Sequence, residues 1–297
     1  MPQWNCNYTY SCRARAGDVV VARRTQSSLA ASANGRDWVL VNASPDIGRQ
    51  MLDTPELHPR AEDGLRSSPI KAVIVTNADI DHIAGLLTLR ERQPFNLYAS
   101  SQVLAVLAAN PVFNVLDKAI VRRIELTLDR DTEILGPDGP TGIVVHAYAV
   151  PGKIALFMED GGDPKRFASG DGDTIGLSIR ASPSTGTAHY IPGCADVDFA
   201  LASRLDQAEC LLFDGTVWRD TEMSDAGVGE KTGRRMGHMP VSGPDGSIAA
   251  LRTVEIGRRI FVHINNTNPL LDSGSEEYRE AREAGWEIGL DGMEIRL

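Results

Sequence analysis

The chain has 297 residues, 42% of them hydrophobic, enough to bury a sizeable core in one large domain or two. Its 40 acidic and 30 basic residues leave a formal charge of −10, which argues against nucleic acid as the main partner, because a phosphate backbone demands a basic surface. No apolar run approaches the ~18–20 residues of a membrane span, and there is no apolar signal core. The four scattered cysteines, Cys6, Cys12, Cys194 and Cys210, are too few for a disulfide scaffold. A cytoplasmic protein with no membrane partner is expected.

The stretch 1–17 reads as a Trp/Tyr/Asn-rich loop. Cys6 and Cys12 within it are either half of a structural zinc site or unrelated thiols. Residues 24–31 and 38–43 read as strands joined through Asn34-Gly35, a hairpin signal. Ser44-Pro45-Asp46 caps a helix near 47–53. The proline-punctuated segment 54–69 is a surface loop in which His58 is solvated. The β-branched run 71–76 is a buried strand. A polar turn follows, Asn77-Ala78-Asp79-Ile80-Asp81-His82, dense in groups that bind metals. Residues 83–90 then read as a helix with Leu86, Leu87 and Leu89 on its apolar face. A strand running into such a turn is how α/β proteins present a site at the carboxyl edge of a sheet. The same residue types also make an ordinary solvated cap.

Residues 95–99 read as a strand, 101–109 as a helix, and 120–128 and 143–150 as strands flanking the turn Gly136-Pro137-Asp138-Gly139-Pro140. The Gly/Asp-rich segment 159–173 is a loop without the ligand spacing and closing Glu of a calcium site. Strands at 174–180 and 188–191 lead to Pro192-Gly193-Cys194. A helix at 199–207 and a strand at 210–213 lead to Asp214-Gly215-Thr216, with Cys210 as a small buried apolar residue. A Gly-rich region, 219–246, carries Gly237-His238-Met239. A helix at 247–256, a strand at 259–263 ending on His263, a charged helix at 276–284 and two short strands within 286–297 close the chain. His146 and His189 lie mid-strand and read as structural. Strands thus end repeatedly in chemically loaded turns, and loops at one edge of a sheet can gather such groups.

The order of these turns resembles the metallo-β-lactamase superfamily, whose hallmark after a strand is His-x-His-x-Asp-His. Here the frame reads Asn77-x-Asp79-x-Asp81-His82. More narrowly, the chain resembles the family of the B protein of pyrroloquinoline quinone (PQQ) biosynthesis. The matching segments are PQWNCN (2–7), RTQSS (24–28), NASPDI (42–47), TNADIDHIAGLLTLRE (76–91), VPGK (150–153), YIPGCA (190–195), LLFDGT (211–216), GVGEKTGRRMGH (227–238) and IGRRIFVHINNTNPLL (256–271). Two features depart from that family. A strand and glycine-rich turn normally precede PQWNC, and the cysteine cluster is normally Cys-x-Cys-x-x-Cys, where this chain has Tyr8 at the middle position. The resemblance implies an α/β fold, the four-layer αβ/βα sandwich, as a single domain over 1–297 with its first strand missing.

The resemblance also assigns roles. Superfamily hydrolases bind a first metal through the two leading histidines and a later one. Those places hold Asn77, Asp79 and Lys153 here. A neutral amide ligates poorly and a protonated lysine does not ligate, so a two-metal hydrolase is disfavoured. Asp81, His82 and His263 survive at the second metal, with Cys194 at the bridging place and Asp79 as a further candidate ligand. Two histidines and one carboxylate with open positions suit Fe(II) and oxygen chemistry, although such a triad could hold Zn, Mn or Cu. Asp214 would orient His238 as a proton shuttle. The implied reaction is hydroxylation of the tyrosine ring of a cross-linked Glu-Tyr precursor. Lys153, Lys231, Arg234 and Arg235 are candidate anchors for that acidic diamino acid. The alternatives are a carrier of PQQ or its precursor, without a redox metal, and a metal-dependent hydrolase. A homodimer is also an expectation.

Overall fold

The computed structural model describes residues 2–158, 172–184 and 186–297, so most of the expected loop 159–173 lies outside the described residues. Among the described residues no helix is long and apolar enough to cross a membrane. The stretch 1–17 is not all loop, since Thr9–Arg15 forms a helix, α1. Its sequence, TYSCRAR, has no helical period, and its stability is tertiary. Arg13 pairs with Asp18 and Asp272, and Ser11 and Ala14 are buried. The chain divides into two compact units.

One unit comprises Gln26–Ala149 and Ile154–Gly186. Its five-stranded sheet runs in the order β1 (Leu29–Ala31), β2 (Trp38–Val41), β3 (Ile70–Ile74), β4 (Phe95–Ala99), β5 (Val121–Glu125). β1 pairs antiparallel to β2, and the others pair parallel. Parallel strands covered on both faces read as continuous apolar runs, and β4 is buried at every residue. Helix α2 (Ile47–Asp53) follows β2 and α4 (Ser101–Ala109) follows β4, the latter capped by Ser100 accepting from Val103 N. Between them, the expected helix at 83–90 is shorter and starts earlier: α3 covers Ile80–Ile83 and a 3₁₀ turn continues over Ala84–Leu87. Leu40, Val73, Val75, Leu97, Ile83, Leu86 and Leu107 meet in the core.

The same unit holds an antiparallel hairpin, β6 (Arg130–Gly136) with β7 (Gly139–Ala149), and β8 (Ile175–Ala181) beside β7. β6 escapes the hydropathy reading because RDTEILG buries only Ile134 and Gly136. His146 is held on β7 by Asp131, 2.9 Å from its Nδ1, which supports a structural role.

The other unit comprises Met1–Thr25, Val150–Lys153 and Thr187–Leu297. Four parallel strands carry it: β9 (Ala188–Ile191), β10 (Ala208–Asp214), β11 (Ile256–Val262) and β12 (Trp286–Ile288). Helix α5 (Phe199–Leu205), capped by Asp198, links β9 to β10. Helices α6 (Glu222–Asp225) and α7 (Ser247–Ala250) lie between β10 and β11, and α8 (Glu276–Glu283) links β11 to β12. Phe261 and Trp286 stack with centroids 3.9 Å apart and anchor the core. The helix expected over 247–256 stops at Ala250, because β-branched Thr253 and Val254 lead into β11. Of the two strands expected in 286–297, one forms.

Candidate metal ligands and a carboxylate–histidine network

In the first unit the loaded turn is built by its neighbours. Asn42 takes a left-handed backbone, φ 63°, at the end of β2. Its amide oxygen accepts from Thr76 N at 2.9 Å, which ties the ends of β2 and β3 together. The Asn77 side chain accepts from Asp79 N at 2.9 Å, an Asx turn. This explains why Asn stands there: its oxygen shapes the turn that starts α3. His82 is 2% exposed, and its Nδ1 lies 3.1 Å from Asp81 Oδ1. The backbone of this turn is clamped to the segment after β2, with Ala43 N donating to His82 O and Gly85 N to Ala43 O, both at 2.8 Å.

In the second unit β9, β10 and β11 run parallel and end on one edge, so Cys194, Asp214 and His263 emerge together. Four donors meet the fully buried Asp214 carboxylate. Cys194 N (2.9 Å) and His238 Nδ1 (2.7 Å) meet Oδ2, and Thr216 N (3.0 Å) and Thr216 Oγ1 (2.6 Å) meet Oδ1. The same hydroxyl stands 2.7 Å from His263 Nδ1 and 3.1 Å from His238 Nδ1. The two imidazoles stack with centroids 5.1 Å apart. Asp214, His238 and His263 offer ligand atoms all within 4.8 Å. Both Asp214 oxygens thus already have hydrogen-bond partners. A carboxylate oxygen 2.7 Å from His238 Nδ1 favours the Nδ1–H tautomer, which leaves Nε2 as the acceptor.

His263 sits just past β11 with φ 57°, a strained conformation for a non-glycine residue. Cys194 is buried, and its thiol donates to Asp196 O at 2.9 Å. Burial pushes the thiol far above the ordinary range, which opposes the thiolate a metal requires. Gly193 lies beside His238: a Cβ there would sit 3.4 Å from His238 Cε1.

Of the four expected anchors, Arg234 uses its guanidinium on the carbonyls of Ala195 (3.2 Å) and Asp245 (3.1 Å). Lys153 packs along Gly237, where φ is 86° and a Cβ would meet Lys153 Cγ at 3.0 Å. Lys231 and Arg235 are half-buried. Cys6 is half-buried and Cys12 exposed, and neither belongs to a three-ligand group among the described residues. Sequence reading left three residues unassigned: Asn42, Thr216 and Glu222. Thr216 carried one signal, its place two residues past a carboxylate at a strand end.

Comparison with known proteins places these features in context. The family model of the beta-lactamase superfamily domain matches residues 37–264. Coenzyme PQQ synthesis protein B of Gluconacetobacter diazotrophicus is 49% identical over 295 residues, 99% of this chain and 94% of that protein. The protein of the same name from Methylobacterium nodulans is 52% identical over 297 residues, 100% of this chain and 96% of that protein. Among solved structures, Zn(2+)-bound PqqB from Methylobacterium extorquens superposes with a TM-score of 0.93 at 47% identity, covering 100% of this chain and 95% of that one. A diphosphatase of the PhnP family, 18% identical, superposes at 0.66 over 100% of this chain and 92% of that one and shares the fold alone. The fold is that of the metallo-β-lactamases.

Proposed function

We propose, from the premise that this chain belongs to the coenzyme PQQ synthesis protein B family of the beta-lactamase superfamily, that it is an iron-dependent hydroxylase of PQQ biosynthesis. The observation that carries this reading is Asn77. Its side-chain oxygen is committed to Asp79 N, so the position where a two-metal hydrolase has its first ligand is taken by a turn-forming amide. The family's second-metal places hold Asp81, His82 and His263, two histidines and one carboxylate, the donor types that would suit Fe(II). The relative from Methylobacterium extorquens holds Zn(2+), a borderline metal that the same donors accept. Bound there, iron supplies oxygen activation. The chain's own residues bind, orient and move protons. His238, oriented by Asp214, accepts a proton at Nε2 from the phenol of the substrate. Lys153, Lys231 and Arg235 anchor its carboxylates, and Arg234 shapes the loop that holds His238 through its two carbonyl contacts. The substrate is the cross-linked Glu-Tyr precursor.

The test is reconstitution with Fe(II) under oxygen and a reductant, offering a cross-linked Glu-Tyr diamino acid. The expected result is oxygen uptake matched by a product one oxygen atom heavier. Binding without oxygen uptake or product identifies a carrier instead. Turnover of a phosphodiester or ester with zinc alone identifies a hydrolase.

A further inference from the structure

The hydroxyl of Thr216 has four partners within hydrogen-bond reach and only one proton. It lies 2.6 Å from Asp214 Oδ1, 2.7 Å from His263 Nδ1, 2.9 Å from His263 O and 3.1 Å from His238 Nδ1. Two of these atoms can only accept, Asp214 Oδ1 and His263 O, and the carboxylate is both the closer and the charged one. Asp214 Oδ1 carries no hydrogen as a carboxylate. Two oxygens 2.6 Å apart with no proton between them would repel, so the Thr216 hydrogen lies on the line to Asp214. His263 Nδ1, 2.7 Å from the same oxygen, then has to be the donor, because a bare nitrogen would face a lone pair. His238 Nδ1 has its own, closer acceptor in Asp214 Oδ2 at 2.7 Å.

We propose that Thr216 is a positioning residue: its hydroxyl relays the Asp214 carboxylate to His263 and fixes that ring as the Nδ1–H tautomer. One buried carboxylate thereby sets both stacked histidines, His238 directly and His263 through one hydroxyl. Each ring turns its Nε2 lone pair away from the network. For His263 that lone pair is the ligand atom of the metal reading above, on which this part of the inference rests. The device also answers the strain at His263. His263 is a non-glycine residue at φ 57°, and its ring bond to Thr216 Oγ1 at 2.7 Å helps to hold it there. Outer partners of this kind orient a ligating imidazole and raise its basicity, and their loss costs about 10–100-fold in metal affinity.

The experiment uses the full chain, labelled with ¹⁵N-histidine and stripped of metal, well above the ordinary imidazole pKa. Long-range ¹H–¹⁵N correlation reads the tautomer of each of the six histidines, with His263 assigned through H263Q. In the wild type, His263 and His238 are both expected as Nδ1–H. In T216V, His263 shifts toward Nε2–H while His238 keeps its form, and T216S restores the wild-type spectrum. Zinc affinity, read by competition with a chromophoric chelator, is expected to fall about tenfold in T216V and to stay within about twofold in T216S. An Nε2–H form of His263 in the wild type overturns the proposal, and so does an unchanged His263 tautomer in T216V. The wild-type spectrum decides even if T216V does not fold. If H263Q binds zinc as tightly as the wild type, the metal reading fails while the tautomer result stands by itself.

Discussion

Asp214 Oδ2 and His238 Nδ1 stand 2.7 Å apart, with the carboxylate fully buried and the ring 14% exposed. One side of the pair is thus locked in the protein and the other reaches solvent or substrate. D214N keeps the shape but replaces one acceptor oxygen with an amide NH₂, which has to face either the Cys194 N–H and the His238 ring or the two donors of Thr216. The His238 tautomer is no longer fixed. Under the proposed hydroxylase reading, product formation is expected to fall by about 10²–10⁴, and stability by about 1–3 kcal/mol for the mismatched buried donors. An unchanged rate in a folded D214N protein sinks the orienting role.

Metal content discriminates among the candidate ligands. H82A and H263A are each expected to lose the bound metal after dialysis, as measured by plasma mass spectrometry on the folded proteins. C194S is expected to keep it. The Cys194 sulfur acts as a donor to Asp196 O, and serine preserves that bond. Loss of metal in C194S would restore Cys194 as a ligand, and full occupancy in H82A would remove His82 from the set.

Glu222 gives a pH signature. It is buried, and it accepts from Trp218 N at 2.6 Å and Thr267 Oγ1 at 2.5 Å. Burial nonetheless pushes its carboxyl up from 4.5 to about 7. The folded chain therefore holds this proton more tightly than the unfolded chain. Folding takes up a proton between those two values, so stability falls as pH rises through that window. The cost is absent below the unfolded value and complete above about 7, where it amounts to about 3 kcal/mol at most. E222Q removes it. Urea unfolding at about pH 5 and about pH 8 should show the wild type losing ~1–3 kcal/mol more than E222Q over that rise. Parallel losses in the two proteins contradict the assignment.

Much of the site was legible where chemistry is local. The run before Asn77 is apolar and β-branched, and the turn after it is polar, so a strand feeding a loaded turn could be read directly. The ends of β9, β10 and β11 were legible in the same way, through Cys194, Asp214 and His263. Thr216 was not, because its role is set by contacts to residues 22 and 47 positions away in sequence. Asn77 was readable as a poor ligand, but its reason for being there is a hydrogen bond to Asp79 N that only the folded turn reveals. Helix α1 left no period because its stability comes from Arg13 reaching Asp272 across the sequence. β6 carries too many charges for a hydropathy reading to find.

Gly85 offers the sharpest test of how the fold supports His82. A Cβ at this position would lie 2.1 Å from Ser44 O and 2.7 Å from both the carbonyl carbon and the oxygen of Ala43. These are backbone atoms, so no rotamer change relieves the clash. Gly85 N also donates to Ala43 O at 2.8 Å, beside the bond from Ala43 N to His82 O. Forcing the two segments apart would break both bonds and shift His82. G85A is expected to cost ~3 kcal/mol or more and to weaken zinc binding in whatever fraction stays folded. Gly48 is the matched control. It lies in α2, and its Cβ would meet Thr88 Cγ2 at 3.8 Å, an ordinary contact. G48A is expected to be neutral or to stabilise by about 0.5–1 kcal/mol, as Ala replaces Gly in a helix. Urea unfolding of the two variants side by side checks this. A G85A protein with the wild-type midpoint would show that the close approach of Gly85 to the segment after β2 is not what holds the turn over 77–82.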